Sequence, residues 1–193
     1  MNTASIGIIV GSTRDGRFSE YPAQWILELG KERTDLAFEI IDLRDHPLPF
    51  LQDSVNPSYK NGAYGDESVD RFAKKIASLD GYIIVTPEYN RSTSAVLKNA
   101  LDHIYGEFTN KPVAFISYGS VGGARAVEQL RLMAIELQMA PIRNSVHIMA
   151  PWFLRNEDGS LKAGALDEYR KSGEGMLEQL AWWAKALTVA RNA

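Results

Sequence analysis

The sequence predicts an α/β fold: one doubly wound, five-stranded parallel sheet in the order 2-1-3-4-5, with helices on both faces. Three observations carry this. Apolar runs of strand length alternate five times with helix-length amphipathic segments across the 193 residues, the pattern of a parallel sheet covered on both sides. The first run stops at a loop of glycines and hydroxyls that feeds a helix, which is where open sheets of this class bind anions. No repeat, linker or low-complexity tract interrupts the chain, so residues 1–193 read as a single domain large enough to bury an ample core.

The first strand is the run Ile6-Gly7-Ile8-Ile9-Val10, and Gly11 ends it. Residues 20–33 read as a helix, with Pro22 suited to its first turn and Trp25, Ile26 and Leu29 on its apolar side. Residues 36–43 form the second strand, and 44–65, with three prolines and Asn61-Gly62, a long irregular connection of the kind that is usually functional or mobile. A helix over 66–79 carries Val69, Phe72, Ala73 and Ile76 on one side. The third strand is 81–86, stopped by Pro87, and a helix follows over 94–104. The fourth strand is 112–117, then a glycine loop to Gly123 and a helix over 124–139. The fifth strand, 142–148, is more polar and reads as an edge. A loop over 151–164 leads to a last helix over 166–190.

Composition narrows the function. A net charge of -3 gives no electrostatic footprint for nucleic acid or an anionic membrane surface. With no cysteine, disulfides, thiolate metal sites and cysteine nucleophiles are excluded. His46, His103 and His147 lack metal-ligand spacing, so no metal is expected. No leader-like segment precedes Ile6 and no apolar run reaches membrane-spanning length, so the expected address is the cytoplasm.

Right-handed crossovers bring three loops to one rim, at 11–19, 87–93 and 118–123. The first offers Ser12, Thr13 and Ser19 hydroxyls, Gly11 and Gly16 amides, and the charges of Arg14 and Arg17. It matches neither the dinucleotide G-x-G-x-x-G nor the nucleotidase G-x-x-x-x-G-K-[ST] pattern. It reads as a phosphate cradle or as an ordinary capped turn. Pro87-Glu88-Tyr89-Asn90 can lie against a flat ring; equally, Asn90 or Ser92 can cap the next helix while Tyr89 packs. The third loop, with Gly119, Gly122 and Gly123, lets backbone amides approach a planar ligand, or is a plain glycine turn.

These residues resemble the NADPH-dependent FMN reductase family, flavodoxin-like proteins that include quinone, azo-dye and chromate reductases. The matching blocks are Gly11-Ser12-Thr13-Arg14 with Gly16-Arg17-Phe18-Ser19, Ile41-Asp42-Leu43-Arg44, Thr86-Pro87-Glu88-Tyr89-Asn90, Leu97-Lys98-Asn99-Ala100-Leu101-Asp102, and Ser117 with Gly122-Gly123-Ala124-Arg125. They run in family order through roughly the first 140 residues. The chain departs at Ser94-Ala95, where the family usually has Pro-Gly, and at Asp102-His103, where it has Asp-Trp.

The resemblance implies that Ser12, Arg14, Arg17 and Ser19 hold the FMN phosphate, with Phe18 beside them. Pro87, Glu88, Tyr89 and Asn90 would line the isoalloxazine. Ser117, Tyr118, Gly119, Ser120, Gly122 and Gly123 would cover its pyrimidine end and ribityl chain, where amide donors stabilise the charge of the reduced ring. The implied reaction is ping-pong: hydride passes from NADPH or NADH to flavin N5, then electrons go to a quinone, azo compound, free flavin or similar small-molecule acceptor. The flavin carries the chemistry, so no catalytic side chain is expected. Arg91 and Arg125 are candidates for the NADPH 2′-phosphate; equally, they can be solvated or pair with carboxylates. Asp102 and His103 point apart on a helix and read as surface residues.

The helix over 124–139 carries one apolar stripe of Val127, Leu130, Ala134 and Leu137 and a second set of Leu132, Ile135 and Met139. Two apolar faces suggest a subunit contact, and the resemblance implies a homodimer or homotetramer. Trp182 and Trp183 read as core and interface packing. The alternative to an enzyme is a non-catalytic flavodoxin-like electron carrier; Arg14 and Arg17 favour the enzyme.

Overall fold

A computed structural model describes residues 3–193; Met1 and Asn2, at the start of the segment ahead of Ile6, lie outside them. Strands β1 (Ala4–Val10), β2 (Leu36–Asp42), β3 (Gly81–Pro87), β4 (Pro112–Gly119) and β5 (Ala140–Met149) form one sheet, all neighbours parallel, in the order β2-β1-β3-β4-β5. Helices α1 (Glu20–Gly30), α2 (Glu67–Ala77), α3 (Ala95–His103), α4 (Ala124–Glu136) and α5 (Arg170–Arg191) cover it. The expected flavodoxin-like order is the one observed.

Alternation along each inner strand splits the core into two layers. Ile6, Ile8, Val10, Ile83, Val85, Ala114 and Ile116 pack against α1 and α5. Ile9, Tyr82, Ile84, Val113 and Phe115 face the other way, against α2, α3 and α4. β3 is therefore buried at all seven positions, which is why it reads as a continuous apolar run. β5 alternates between buried and accessible residues and is an edge, as its polarity predicts.

Element ends differ from the sequence reading for local reasons. α1 stops at Gly30, where a Cβ would meet the Phe38 ring at 2.5 Å. The last helix starts at Arg170, not 166, because a 3-10 turn over Asp167–Tyr169 precedes it. Leu166 is buried in the core from that turn, so its apolar character belongs to the loop. Leu132 and Ile135 are 64% and 62% exposed, as a second face of α4 requires, but Met139 is only 5% exposed. It lies past the helix end, with its amide bonded to the Ala134 carbonyl, and belongs to the core. Trp182 is 65% exposed and edge-on to the half-buried Trp183.

The rim is fixed by contact between β1 and α3. Gly11 donates to the Val85 carbonyl at 2.8 Å, and a Cβ there would lie 2.8 Å from Leu97. Ser94, where the family usually has proline, caps α3 by accepting from the Leu97 amide at 3.2 Å and donates to the Gly11 carbonyl. One buried hydroxyl thus ties the end of β1 to the start of α3. Ser94→Ala is expected to destabilise the fold by about 1–2 kcal/mol, from a lost cap and an unmet carbonyl. Thermal unfolding should show a Tm lower by about 2–8 °C; an unchanged Tm would contradict the tie.

Candidate functional site

The three loops do converge. They line a cleft of about 610 Å³ with Arg14, Arg17 and Phe18, then Pro87, Glu88 and Tyr89, then Tyr118, Gly119 and Ser120. A fourth wall, Pro151, Trp152, Arg155 and Asn156, comes from the connection after β5. The volume is that of a small-molecule or cofactor site.

The first loop is held from below. Register sets Val10 opposite Asp42, so the Asp42 carboxylate lies beside the loop that leaves β1. Arg17, 7% exposed, donates from Nη1 to Asp42 at 2.7 Å and to the Ser12 carbonyl at 2.5 Å, and from Nε to Glu20 at 2.9 Å. Its Nη2 also bonds Asp42. Four of its five N–H groups are thereby committed inside the protein. Arg44 adds a second strap, donating to the carbonyls of Thr13 at 3.3 Å and Arg14 at 2.5 Å. Burial pushes the Asp42 carboxyl up, but Arg17 and the Arg44 amide outweigh it and hold the group below its ordinary value. Arg17, expected at the phosphate, instead commits these donors to shaping the loop.

The hydroxyls of the loop are otherwise disposed. Ser12 Oγ lies 3.2 Å from the Tyr89 hydroxyl. Ser19 precedes α1 without capping it, and its Oγ is buried with no partner at hydrogen-bond geometry among the described residues. The hydroxyl lies beside the Tyr118 phenol at an uncapped helix start, so the two hydroxyls and the helix-start amides together form a set of donors open to an anion. Burial pushes the nearby Tyr118 phenol up to about 12, so it stays a donor at neutral pH.

The second loop is a tight turn. Tyr89 and Ser92 exchange backbone bonds of 2.8 and 3.0 Å around Asn90 and Arg91, at φ 50° and 69°. Asn90 tolerates that backbone and is exposed at the turn, off the cleft wall. The Arg14 guanidinium lies 5.6 Å over the Tyr89 ring. Glu88 is tied to α4: Arg125 reaches its carboxylate from Nε at 2.6 Å and from its amide at 3.2 Å. Of the readings of Arg125, pairing with a carboxylate is the one observed. Arg91 is exposed at the turn.

The third loop rests on Ser117. Its Oγ donates to the Gly122 carbonyl at 2.7 Å, so it accepts from His147 Nδ1 at 2.8 Å, which leaves Nε2 to accept from Ser145 at 2.8 Å. Burial holds His147 below its usual range, in keeping with a neutral ring. Gly123, at φ 74°, has Ser117 so close that a Cβ would meet its Cβ at 2.7 Å. Ser117, Gly122 and Gly123 therefore support the wall rather than line it. His103 is also not a surface residue: it is 6% exposed and its Nε2 bonds the Pro49 carbonyl at 2.7 Å, while Asp102 pairs with Lys98.

The sequence reading missed the fourth wall, which lies well over a hundred residues from the loop it faces, and the straps from Asp42 and Arg44. The Asp42 signal was present as a carboxylate ending the strand next to β1.

Residues 4–152 match the family model described as NADPH-dependent FMN reductase, and the chain belongs to that family. It is 38% identical over 141 residues to an NAD(P)H-dependent FMN reductase of Schizosaccharomyces pombe, covering 72% of this chain and 70% of that protein. It is 30% identical over 190 residues to a 2-hydroxy-1,4-benzoquinone reductase of Burkholderia sp, covering 93% and 96%. The fold is also that of a flavoenzyme NAD(P)H:(acceptor) oxidoreductase from Paracoccus denitrificans, with a TM-score of 0.74, 24% identity and coverage of 95% and 98%.

Asp42→Asn should cost on the order of 3 kcal/mol at neutral pH, because it removes the carboxylate facing a buried guanidinium. The folded carboxyl titrates below its ordinary 3.8, so the pair's contribution is complete above that value and fades as pH falls through the lower folded one. Urea unfolding at pH 7, 5, 4 and 3 should show a wild-type advantage that is constant to pH 5 and shrinks below about 4. A gap independent of pH would contradict the pairing.

Proposed function

We propose that this chain is an FMN-dependent NAD(P)H reductase that passes electron pairs to a small-molecule acceptor such as a quinone, an azo compound or free flavin. The observation that carries the reading is the cleft itself. One end offers hydroxyls, an uncapped helix start and guanidinium groups, as a phosphate requires; the other offers Tyr89, Tyr118 and the Gly119 backbone, as a flat ring requires. When bound, FMN supplies the redox chemistry, accepting hydride from NAD(P)H and passing the electrons on.

The protein's part is position and electrostatics. Ser12, Arg14 and Ser19 hold the phosphate end, on a loop that Arg17 shapes. Phe18 and Tyr118, with ring centroids 5.2 Å apart, wall the middle of the cleft. Glu88, neutralised by Arg125, presents its backbone and stem to the ring without a free charge. Ser120 and the amides from Gly119 onward, braced through Ser117 and Gly122, face the end where negative charge accumulates on reduction. Asn90 sets the turn that carries Tyr89.

Beyond Tyr89 and Arg14 a second cleft of about 370 Å³, lined by Leu48, Phe50 and Val96, gives a planar apolar acceptor a place to approach. Donor and acceptor use the open side in turn, a ping-pong cycle. The enzyme is preferred over an electron carrier because the relatives are named as reductases. We further place it in the cytoplasm; among the described residues no helix is long and apolar enough to cross a membrane. It works as a homodimer or homotetramer, the exposed Leu132, Ile135 and Trp182 being the apolar surface a second copy would cover.

The test is anaerobic. Purified protein supplied with FMN should retain flavin absorbance that NADPH or NADH bleaches within seconds and a quinone restores, and it should sediment as a dimer or tetramer. Bound flavin that neither nicotinamide reduces would favour the carrier. No flavin retained would end both readings, and sedimentation as a monomer would remove the assembly.

A further inference from the structure

We propose that Arg155, which lies beyond the family match, is the guanidinium that closes the phosphate end of the cleft and binds the FMN 5′-phosphate. The proposal rests on the FMN reading above and adds a residue to that site. Three arginines contribute to the cleft wall, Arg14, Arg17 and Arg155. Arg17 is committed to Asp42 and Glu20. Arg14, which joins Ser12 and Ser19 at the phosphate in the FMN reading, is stacked over the Tyr89 ring. Arg155 stands at the helix start: its Nη1 donates to the Gly16 carbonyl at 2.9 Å, and its guanidinium lies 5.5 Å over the Phe18 ring and 5.3 Å over that of Tyr21.

No carboxylate among the described residues pairs with it. Asp42 and Glu20 take Arg17 and Arg44, Glu88 takes Arg125, and the exposed Asp15 at the cleft mouth lies 3.9 Å from Arg44. Among the described residues the buried Nε of Arg155 has no acceptor at hydrogen-bond geometry, nor has the buried Ser19 hydroxyl one residue from Phe18. A buried guanidinium N–H and a buried hydroxyl, both unsatisfied and both beside the uncapped start of α1, want one and the same thing, an anionic acceptor.

The arginine is also held for the task. Residues 155–161 fold back as a short antiparallel turn, with Arg155 bridged to Leu161 and the Asn156 amide bonded to the Ser160 carbonyl at 2.9 Å. The Tyr21 hydroxyl donates to the Gly159 carbonyl at 2.8 Å, docking that turn on α1. Two aromatic faces fix the plane of the guanidinium, so little freedom is lost when an anion arrives.

A phosphomonoester could also come from the 2′-phosphate of NADPH, and the test separates the two. Flavin-free protein is titrated with FMN and with riboflavin by flavin fluorescence, for wild type, Arg155→Met, which keeps the stem over the rings, and Arg155→Lys, which keeps the charge. Thermal unfolding checks that each variant folds. We expect Arg155→Met to weaken FMN by about 10-fold or more while riboflavin changes less than about twofold, and Arg155→Lys to recover part of the loss. Equal weakening of both flavins would make Arg155 a packing residue and overturn the proposal. Unchanged FMN affinity with a lost preference for NADPH over NADH would assign the group to the nicotinamide cofactor and overturn it too. Unchanged FMN affinity alone would overturn the proposal and leave the FMN reading standing. A wild type that binds neither flavin would overturn both.

Discussion

The Arg17–Asp42 ion pair is the contact on which the site depends. Parallel pairing of β1 with β2 puts a carboxylate at the end of one strand under the loop that leaves the other. A guanidinium rising from that loop folds back onto it and also takes the Ser12 carbonyl. The bond closes the loop on itself, with its outer surface turned to the cleft. Burying a charge this deeply is unfavourable unless nearly every donor is met, and here four of five are. The energy of the pair is thus invested in shape.

The remaining features follow from that shape. With Arg17 turned inward, the start of α1 is left uncapped and the buried Ser19 hydroxyl has no partner at hydrogen-bond geometry among the described residues, which is the opening that the proposed phosphate would fill. The same division recurs around the rim. Ser94 ties β1 to α3, Ser117 with His147 supports the glycine turn, and Arg125 neutralises Glu88. Each is a polar side chain used internally, and each leaves a neighbouring backbone or ring as the surface a flavin would meet. A loop already formed costs less ordering on binding than one that must fold around its ligand.

Much of this was legible in the sequence. The inner strands declare themselves by unbroken apolar runs, and five strands alternating with helices leave few topologies. Gly11, Gly122 and Gly123 marked the loops because close approach and positive φ have few substitutes. What could not be read was the direction in which a polar side chain points. Arg17 and Arg14 look alike in a loop sequence, yet one braces and the other faces the cleft. The role of Arg125 is likewise decided by a distant partner, Glu88, and His103, which reads as a surface residue, is buried against the Pro49 carbonyl. Arg155 lies 139 residues from Gly16, and only the docked turn after β5 brings the two together.

On this account the loop over residues 12–19 is formed before flavin binds, and hydrogen–deuterium exchange on the flavin-free protein tests this most directly. Amides of residues 12–19 should exchange slowly in the wild type without flavin, and the protection should fall sharply in Asp42→Asn. Fast exchange in flavin-free wild type, slowed only by adding FMN and indifferent to Asp42→Asn, would mean that the ligand and not the ion pair builds the loop.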